Sequence, residues 1–323
     1  MSTIVDIALR YDLDIINEQY QAAAYNMNSP APNFLPWRMK SVLPVVVTFH
    51  DLRPPYLMPK AGSMRERAVQ FMAQHARGVI ATNSADFETL QSWSVTSTRE
   101  IPIGSNIEVY QPNHIEIQEV RDQLALTEGD ILLGYFGFLN ESKGADTLIE
   151  SLSRLDERYH LVFIGGQTGD SDQANNQEFL DHLRTGITQA GLDDRVRWTG
   201  FLPPMRVSAY LGAADLMVMP YRDGVSLRRG TLMAALAHGR PVISTQSADS
   251  TLPLQHGANI WLVPPNDPTA LSEAIAHLAV DPDLRSKLGD NAAALSEQFS
   301  WETIARQTAE YFGELVTDFR LHR

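Results

Sequence analysis

The chain has 323 residues and a formal net charge of −13, with 44% hydrophobic and 20% charged residues. This is an ordinary globular composition with room for about two domains, and its acidic balance argues against a nucleic-acid binder that relies on its overall field. There is no cysteine, which excludes a disulfide framework and a thiolate metal site. No apolar run approaches the ~20 residues of a membrane span, and the N-terminus lacks the basic and apolar regions of a signal peptide. A cytoplasmic enzyme is the expectation, with peripheral membrane contact open.

Residues 4–10 read as a weak helix and 14–17 as a short strand. Residues 22–37 read as a loop, because Pro and Asn break both periods. LPVVVTFHD (43–51) is a strand whose continuous apolar run implies burial on both faces. It ends in His50-Asp51, at the strand end where α/β sheets place ligand-contacting residues. A helix over 63–76, a strand over 78–83, a helix from Ser84 with Ser84 as N-cap, and a strand from Arg99 running into the Gly104-Ser105-Asn106 loop complete this half. Residues 107–128 read as a linker with a short surface helix.

Beyond the linker, strands are expected at 131–136, 159–164, 195–199, 215–219, 241–245 and 260–263. Helices are expected near 146–155, 175–190, 204–213, 229–238, 268–279 and 281–297, with a last helix from Trp301 capped by Ser300. Apolar strands feeding helices through glycine-bearing turns build a parallel sheet with its ligand at the strand ends. Gly137 breaks the first crossing, and Lys143 stands in the turn before a helix start, within reach of an anion held there. Gly165-Gly166 after LVFI marks a second close backbone approach or a plain turn.

These motifs, in this order, resemble one family: the retaining glycosyltransferases of the two-Rossmann-domain (GT-B) type, family 4. GYFGFLNESKGADTLIESL resembles its "GRLxxxKGxDxLIxA" segment, and VRWTGFLPPMRVSAYLGAADLMVMPYRDG its "VxFxGxxxxxELxxYxxAADxxVxPSxxEG". HGRPVIST and GANIWLVPPNDPTALSEAI resemble "AGxPVVAS" and "xNGxLVPPxDPxALAxAI". VVVTFHD, ATNSADFETL and IPIGSN resemble the later part of its acceptor domain. The resemblance implies an α/β chain of two Rossmann-like domains. The expected division is a partial acceptor-side domain over 1–108, a nucleotide-sugar domain over 109–300, and a C-terminal helix over 301–323 that packs back on the first domain. The first domain lacks the family's first strand and Gly-rich loop and reads as incomplete.

The resemblance assigns Lys143 to the donor diphosphate. Phe138 stands where the family often has a partner Arg, and Arg228 and Arg229, at a helix start, are candidates to replace it. Cations there oppose the helix dipole, a cost that an anion would offset. The family's paired glutamates are absent. Asp223 takes the first slot; the second falls on Thr231 or on Ala234, about one helical turn apart. Asp223 therefore reads as a sugar-hydroxyl acceptor, or as a turn residue, since Asp-Gly is a common turn pair. The backbone of Gly224, Val225, Ser226 and Leu227 is expected to meet sugar or phosphate oxygens, with Gly137 and Gly165 on the nucleotide. His50 is expected to face the donor sugar, with Asp51 orienting it or capping the loop. Gly104-Ser105-Asn106 reads as a nucleotide-side loop or a hinge.

Asp170, Asp172 and Asp193-Asp194 sit in loop-like stretches, so no metal site is expected and no cofactor beyond a nucleotide diphosphate sugar as co-substrate. The expected function is a metal-independent, hexosyltransferase-like retaining enzyme. It would move a sugar to an acceptor hydroxyl on a sugar or lipid-linked acceptor. The alternative is a non-catalytic or partner-dependent nucleotide-sugar-binding subunit. The incomplete first domain predicts an exposed apolar patch near Ile15 and Val45–Val47, or a homodimer or partner subunit that hides it.

Overall fold

The computed structural model describes residues 2–25, 29, 31–53, 63–104, 107–166, 173–227, 229–249 and 252–322. The backbone forms two compact units, Met1–Ile103 with Trp301–Arg323, and Gly104–Ser300; the first boundary lies at 103/104, where the sequence places it at 108/109.

The first unit contains α1 (Ser2–Arg10), β1 (Ile16–Tyr20), α2 (Leu35–Met39), β2 (Val45–Phe49), α3 (Ser63–His75), β3 (Gly78–Ala81), α4 (Ser84–Ser92) and β4 (Thr98–Glu100), followed at the far end of the chain by the helix Trp301–Leu321. Its four strands lie in the order β1-β2-β3-β4, all parallel. All five residues of β2 are buried. Val45, Val47 and Phe49 pack with Leu35, Met39, Val69 and Met72 on one face, while Val46 meets Ile304, Tyr311 and Leu315 of the C-terminal helix on the other.

This overturns the expected exposed patch. Val45, Val46 and Val47 are 2%, 0% and 0% exposed within the chain itself, because helices cover both faces of the strand. Gly78 lets the C-terminal helix approach β3 closely: a Cβ there would lie 2.4 Å from Leu315 Cδ1.

Three other expectations need correction. Residues 22–37 are not a plain loop, since Leu35–Met39 is helical with a proline in its first turn; the missing proline N–H is one a first turn leaves unpaired anyway. The cap of α4 is Asn83, which accepts from the Asp86 amide, while the Ser84 hydroxyl donates to Glu100 at 2.7 Å. The strand expected to run from Arg99 into the Gly104-Ser105-Asn106 loop is Thr98–Glu100 and ends short of that loop, of which Ser105 and Asn106 lie outside the described residues.

The second unit contains α5 (His114–Gln123), β5 (Ile131–Phe136), α6 (Ala145–Leu152), β6 (Tyr159–Ile164), α7 (Gln173–Gln189), β7 (Val196–Trp198), α8 (Pro204–Ala213), β8 (Leu216–Met219), α9 (Gly230–Ala237), β9 (Val242–Thr245), β10 (Trp261–Val263), α10 (Pro268–Ala279) and α11 (Pro282–Ser296). The C-terminal helix is then α12. The parallel sheet runs β10-β9-β8-β5-β6-β7. Side chains of β5 alternate between the two cores, Leu132 and Phe136 to one, Leu133 and Tyr135 to the other. The chain runs outward from β5 through β6 to β7, then returns to lay β8 on the other side of β5. The order therefore reverses between β5 and β8, and the crevice outside the carboxyl ends of these strands is where such a sheet binds ligands.

Candidate active site

Two turns meet at that crevice, one after β5 and one after β8. Gly144 has φ +69°, and a Cβ on it would lie 2.0 Å from the Pro220 carbonyl oxygen, so the turns touch backbone to backbone. The Arg222 amide donates to the Ser142 carbonyl at 3.0 Å. The Arg222 guanidinium pairs with Glu141 at 2.7 Å and also with Asp146. Gly137, at φ +128°, brings the end of β5 against α9: a Cβ there would lie 3.1 Å from Thr231 Cγ2. Thr231 therefore sits at the site, while Ala234 is fully buried in the core.

Tyr221 lies at the centre, 1% exposed, its carbonyl accepting from the Thr245 hydroxyl. The Arg229 guanidinium carbon is 3.9 Å from its ring centroid and Lys143 Nζ is 5.4 Å from it. Arg229 pairs with the exposed carboxylate of Asp223, and its buried Nε has no partner. Burial, with Arg229 nearby, pulls the Lys143 pKa down to about 8, against the pull of Asp223. Burial pushes the Tyr221 phenol up to about 12 and the Tyr135 phenol well above its usual range. Arg229 is also the N-cap of α9, which has no side-chain cap. Two largely desolvated cations and an uncapped helix start, balanced among the described residues by the exposed Asp223 carboxylate, are an arrangement able to accept an anion.

The structure thus brings together Gly137, Lys143, Asp223, Gly224 and Arg229. Gly224, at φ +84°, leaves no room for a Cβ, which would meet the Gln246 carbonyl oxygen at 2.6 Å. Val225 does not offer its amide to a ligand. That amide donates to the Thr245 carbonyl at 3.0 Å, and the residue is 1% exposed. Ser226 and Leu227 continue the turn, Leu227 packing on the core and the Ser226 carbonyl accepting from the Arg229 amide at 3.2 Å. Gly165 ends β6 at φ +105°, its amide donating to Thr199 Oγ1 at 3.0 Å. Phe138 is 55% exposed. Arg228, Asp170 and Asp172 lie outside the described residues. Among the described residues no group of three His, Asp or Glu side chains is placed to hold a metal, and no helix is long and apolar enough to cross a membrane.

In the first unit, His50 follows β2. Its Nε2 is 2.8 Å from Gln19 Oε1, and burial lowers its pKa, with Asp51 pulling the other way. Asp51 instead accepts from the Arg53 amide at 3.0 Å, so it caps the loop. His50 opens on a pocket of about 450 Å3 that Asn17, Gln19, Thr48, Thr82 and Trp301 also line. Sequence reasoning missed Gln19, although β1 carries Asn17 and Gln19 in alternation on that face. It also missed Tyr221, Arg222 and Asp146, whose roles arise from contacts across the two turns.

Residues 130–281 match the model of the family described as glycosyl transferases group 1. A D-inositol 3-phosphate glycosyltransferase of Corynebacterium jeikeium (strain K411) is 25% identical over 246 residues, 73% of this chain and 57% of the relative. A protein of the same name from Streptomyces scabiei (strain 87.22) is 29% identical over 214 residues, 63% of this chain and 46% of the relative. The chain thus spans about half the length of the curated relatives it matches. Among solved structures, Anabaena HepE in complex with UDP aligns with a TM-score of 0.76 at 22% identity, over 97% of this chain and 81% of that one. Sucrose-phosphate synthase of Thermosynechococcus elongatus aligns with a TM-score of 0.73 at 22% identity, over 98% and 77%. The fold is that of the GT-B glycosyltransferases, two Rossmann-like α/β domains.

Proposed function

From the match of residues 130–281 to the model of glycosyl transferases group 1, we propose a retaining, metal-independent transfer of a sugar from a nucleotide diphosphate sugar to an acceptor hydroxyl. The observation that carries this reading is the pair of cations, Lys143 and Arg229, over the Tyr221 ring at the β5/β8 switch point. HepE, of the same fold, binds UDP and UDP-glucose, and the curated relatives are named as glycosyltransferases.

In the proposed reaction the bond from the sugar anomeric carbon to the β-phosphate oxygen breaks. A bond from that carbon to the acceptor oxygen forms on the same face, and the acceptor proton passes to the departing phosphate. Negative charge grows on the diphosphate as it leaves. Lys143, Arg229 and the first-turn amides of α9 stabilise it from fixed positions, the kind of preorganised electrostatics that lowers such barriers most. Asp223 holds a sugar hydroxyl, and Gly137 and Gly165 let the nucleotide approach the backbone. The acceptor is a sugar or polyol hydroxyl, free or lipid-linked.

The test incubates the chain with UDP-, GDP- and ADP-glucose, with and without EDTA, and follows the released sugar by NMR before it mutarotates. Release of the donor's own anomer, undiminished by EDTA, is expected. First release of the opposite anomer contradicts the retaining mechanism, and loss of turnover in EDTA contradicts metal independence.

A further inference from the structure

Among the described residues, Tyr221 is the one aromatic ring that both cations of the site share. We infer that Tyr221 is a positioning residue that sets the spacing of Lys143 and Arg229, and thereby makes the site prefer a nucleoside diphosphate over a monophosphate. This rests on the reading of the site as a diphosphate site.

The Lys143 ammonium and the Arg229 guanidinium repel each other, which helps lower the Lys143 pKa. No carboxylate among the described residues bridges them: Asp223 forms its ion pair with Arg229 and not with Lys143. Asp223 attracts Lys143 only from a distance, whereas both cations lie within reach of the electron-rich ring of Tyr221. A cation within about 6 Å of an aromatic centroid is attracted to it, most strongly where water is excluded. Tyr221 is itself immobile. It is 1% exposed, its carbonyl is held by Thr245, its amide donates to the Met219 carbonyl at 3.0 Å, and its neighbour Arg222 is clamped by Glu141 and Asp146. A phenol held near pKa 12 stays neutral, so the ring never exchanges its attraction for an ion pair. A fixed ring with two cations over it presents two positive charges at a set separation. A diphosphate engages both, and a monophosphate only one.

The test replaces Tyr221 by Phe, then by 4-fluoro-, 3,5-difluoro- and 3,4,5-trifluorophenylalanine. This series keeps ring volume and drains the π-face in steps, so the core that Tyr221 fills is preserved. Isothermal titration compares UDP with UMP, GDP with GMP and ADP with AMP. The ratio of diphosphate to monophosphate affinity, for the base the wild type prefers, is expected to fall about three- to tenfold across the series. Affinity for the monophosphate stays within twofold. A purely structural role for Tyr221 lowers both affinities together. A ratio that stays flat or rises, with tight diphosphate binding by the wild type, overturns this inference alone. No diphosphate binding by the wild type overturns it together with the reading of the site.

Discussion

Lys143 is the residue whose environment says most about the site. With its pKa drawn down to about 8, it is charged at neutral pH and loses its proton just above. A bound diphosphate favours the charged form, so it raises that pKa. Affinity for a diphosphate is therefore full below pH 8 and falls as pH climbs through 8, by at most tenfold per unit. Titrations at pH 7 and pH 9 should show this fall, and Lys143→Arg, which stays charged, should flatten it.

Glu18 makes the opposite kind of prediction, about stability. It is 6% exposed, one carboxylate oxygen has no partner, and burial raises its pKa to about 8. The folded pKa lies above the unfolded one. Its contribution is full below about pH 4.5 and declines as pH rises toward 8, by as much as several kcal/mol. Thermal melts from pH 5 to pH 8.5 should show the first unit losing stability, and Glu18→Gln should remove most of that slope. An identical slope in Glu18→Gln would place the pH dependence elsewhere.

Between elements, the contact of the β5 and β8 turns is the feature that builds the site. Gly144→Ala places a methyl where the Pro220 carbonyl oxygen stands, at a backbone angle that alanine rarely adopts. A loss of about 2–4 kcal/mol in stability is expected, with weakened nucleotide binding, because Lys143 rides on that turn. Denaturant unfolding measures the first and calorimetry the second; a loss below ~0.5 kcal/mol would mean the turns are not in register as described.

The strands from 131 to 263 were legible because most are short, largely apolar runs bounded by Gly, Pro or charge, and the structure trims their expected ends by no more than a residue or so. The glycines of the turns were legible too, as punctuation. What was not legible is adjacency. Lys143 is far in sequence from Tyr221 and Arg229, and only the pairing of β5 with β8 brings it to the same ring. The Ser84 cap failed for a local reason: Asn83, Ser84 and Asp86 all offer side-chain oxygens, and sequence alone does not rank them. Val225 failed because its amide belongs to a contact with Thr245, a neighbour set by β9.

At the scale of the whole molecule, the C-terminal helix α12 belongs to the first unit. The expected exposed patch disappears because α12 covers Val46 on one face of β2 while α2 and α3 cover Val45 and Val47 on the other. The Tyr311 hydroxyl accepts from the Val79 amide at 3.2 Å and donates to the Ser97 carbonyl at 2.9 Å. Arg99 pairs with Glu314 at 2.6 Å, and Arg77 with Asp318. A chain ending at Ser300 should therefore expose Val46, Ile80 and Ile101, bind a hydrophobic dye and melt at lower temperature. Unchanged melting after the truncation would contradict this packing.

The measurement that tests the central claim most directly is calorimetric titration of the purified chain with UDP, GDP and ADP in EDTA, beside Lys143→Ala and Arg229→Ala. The predicted result is binding of one diphosphate by the wild type, weakened about ten- to a hundredfold by either substitution, as loss of one charge-assisted phosphate contact requires. Equal affinity in all three proteins, or no binding of any diphosphate, would contradict the assignment of this crevice as the donor site.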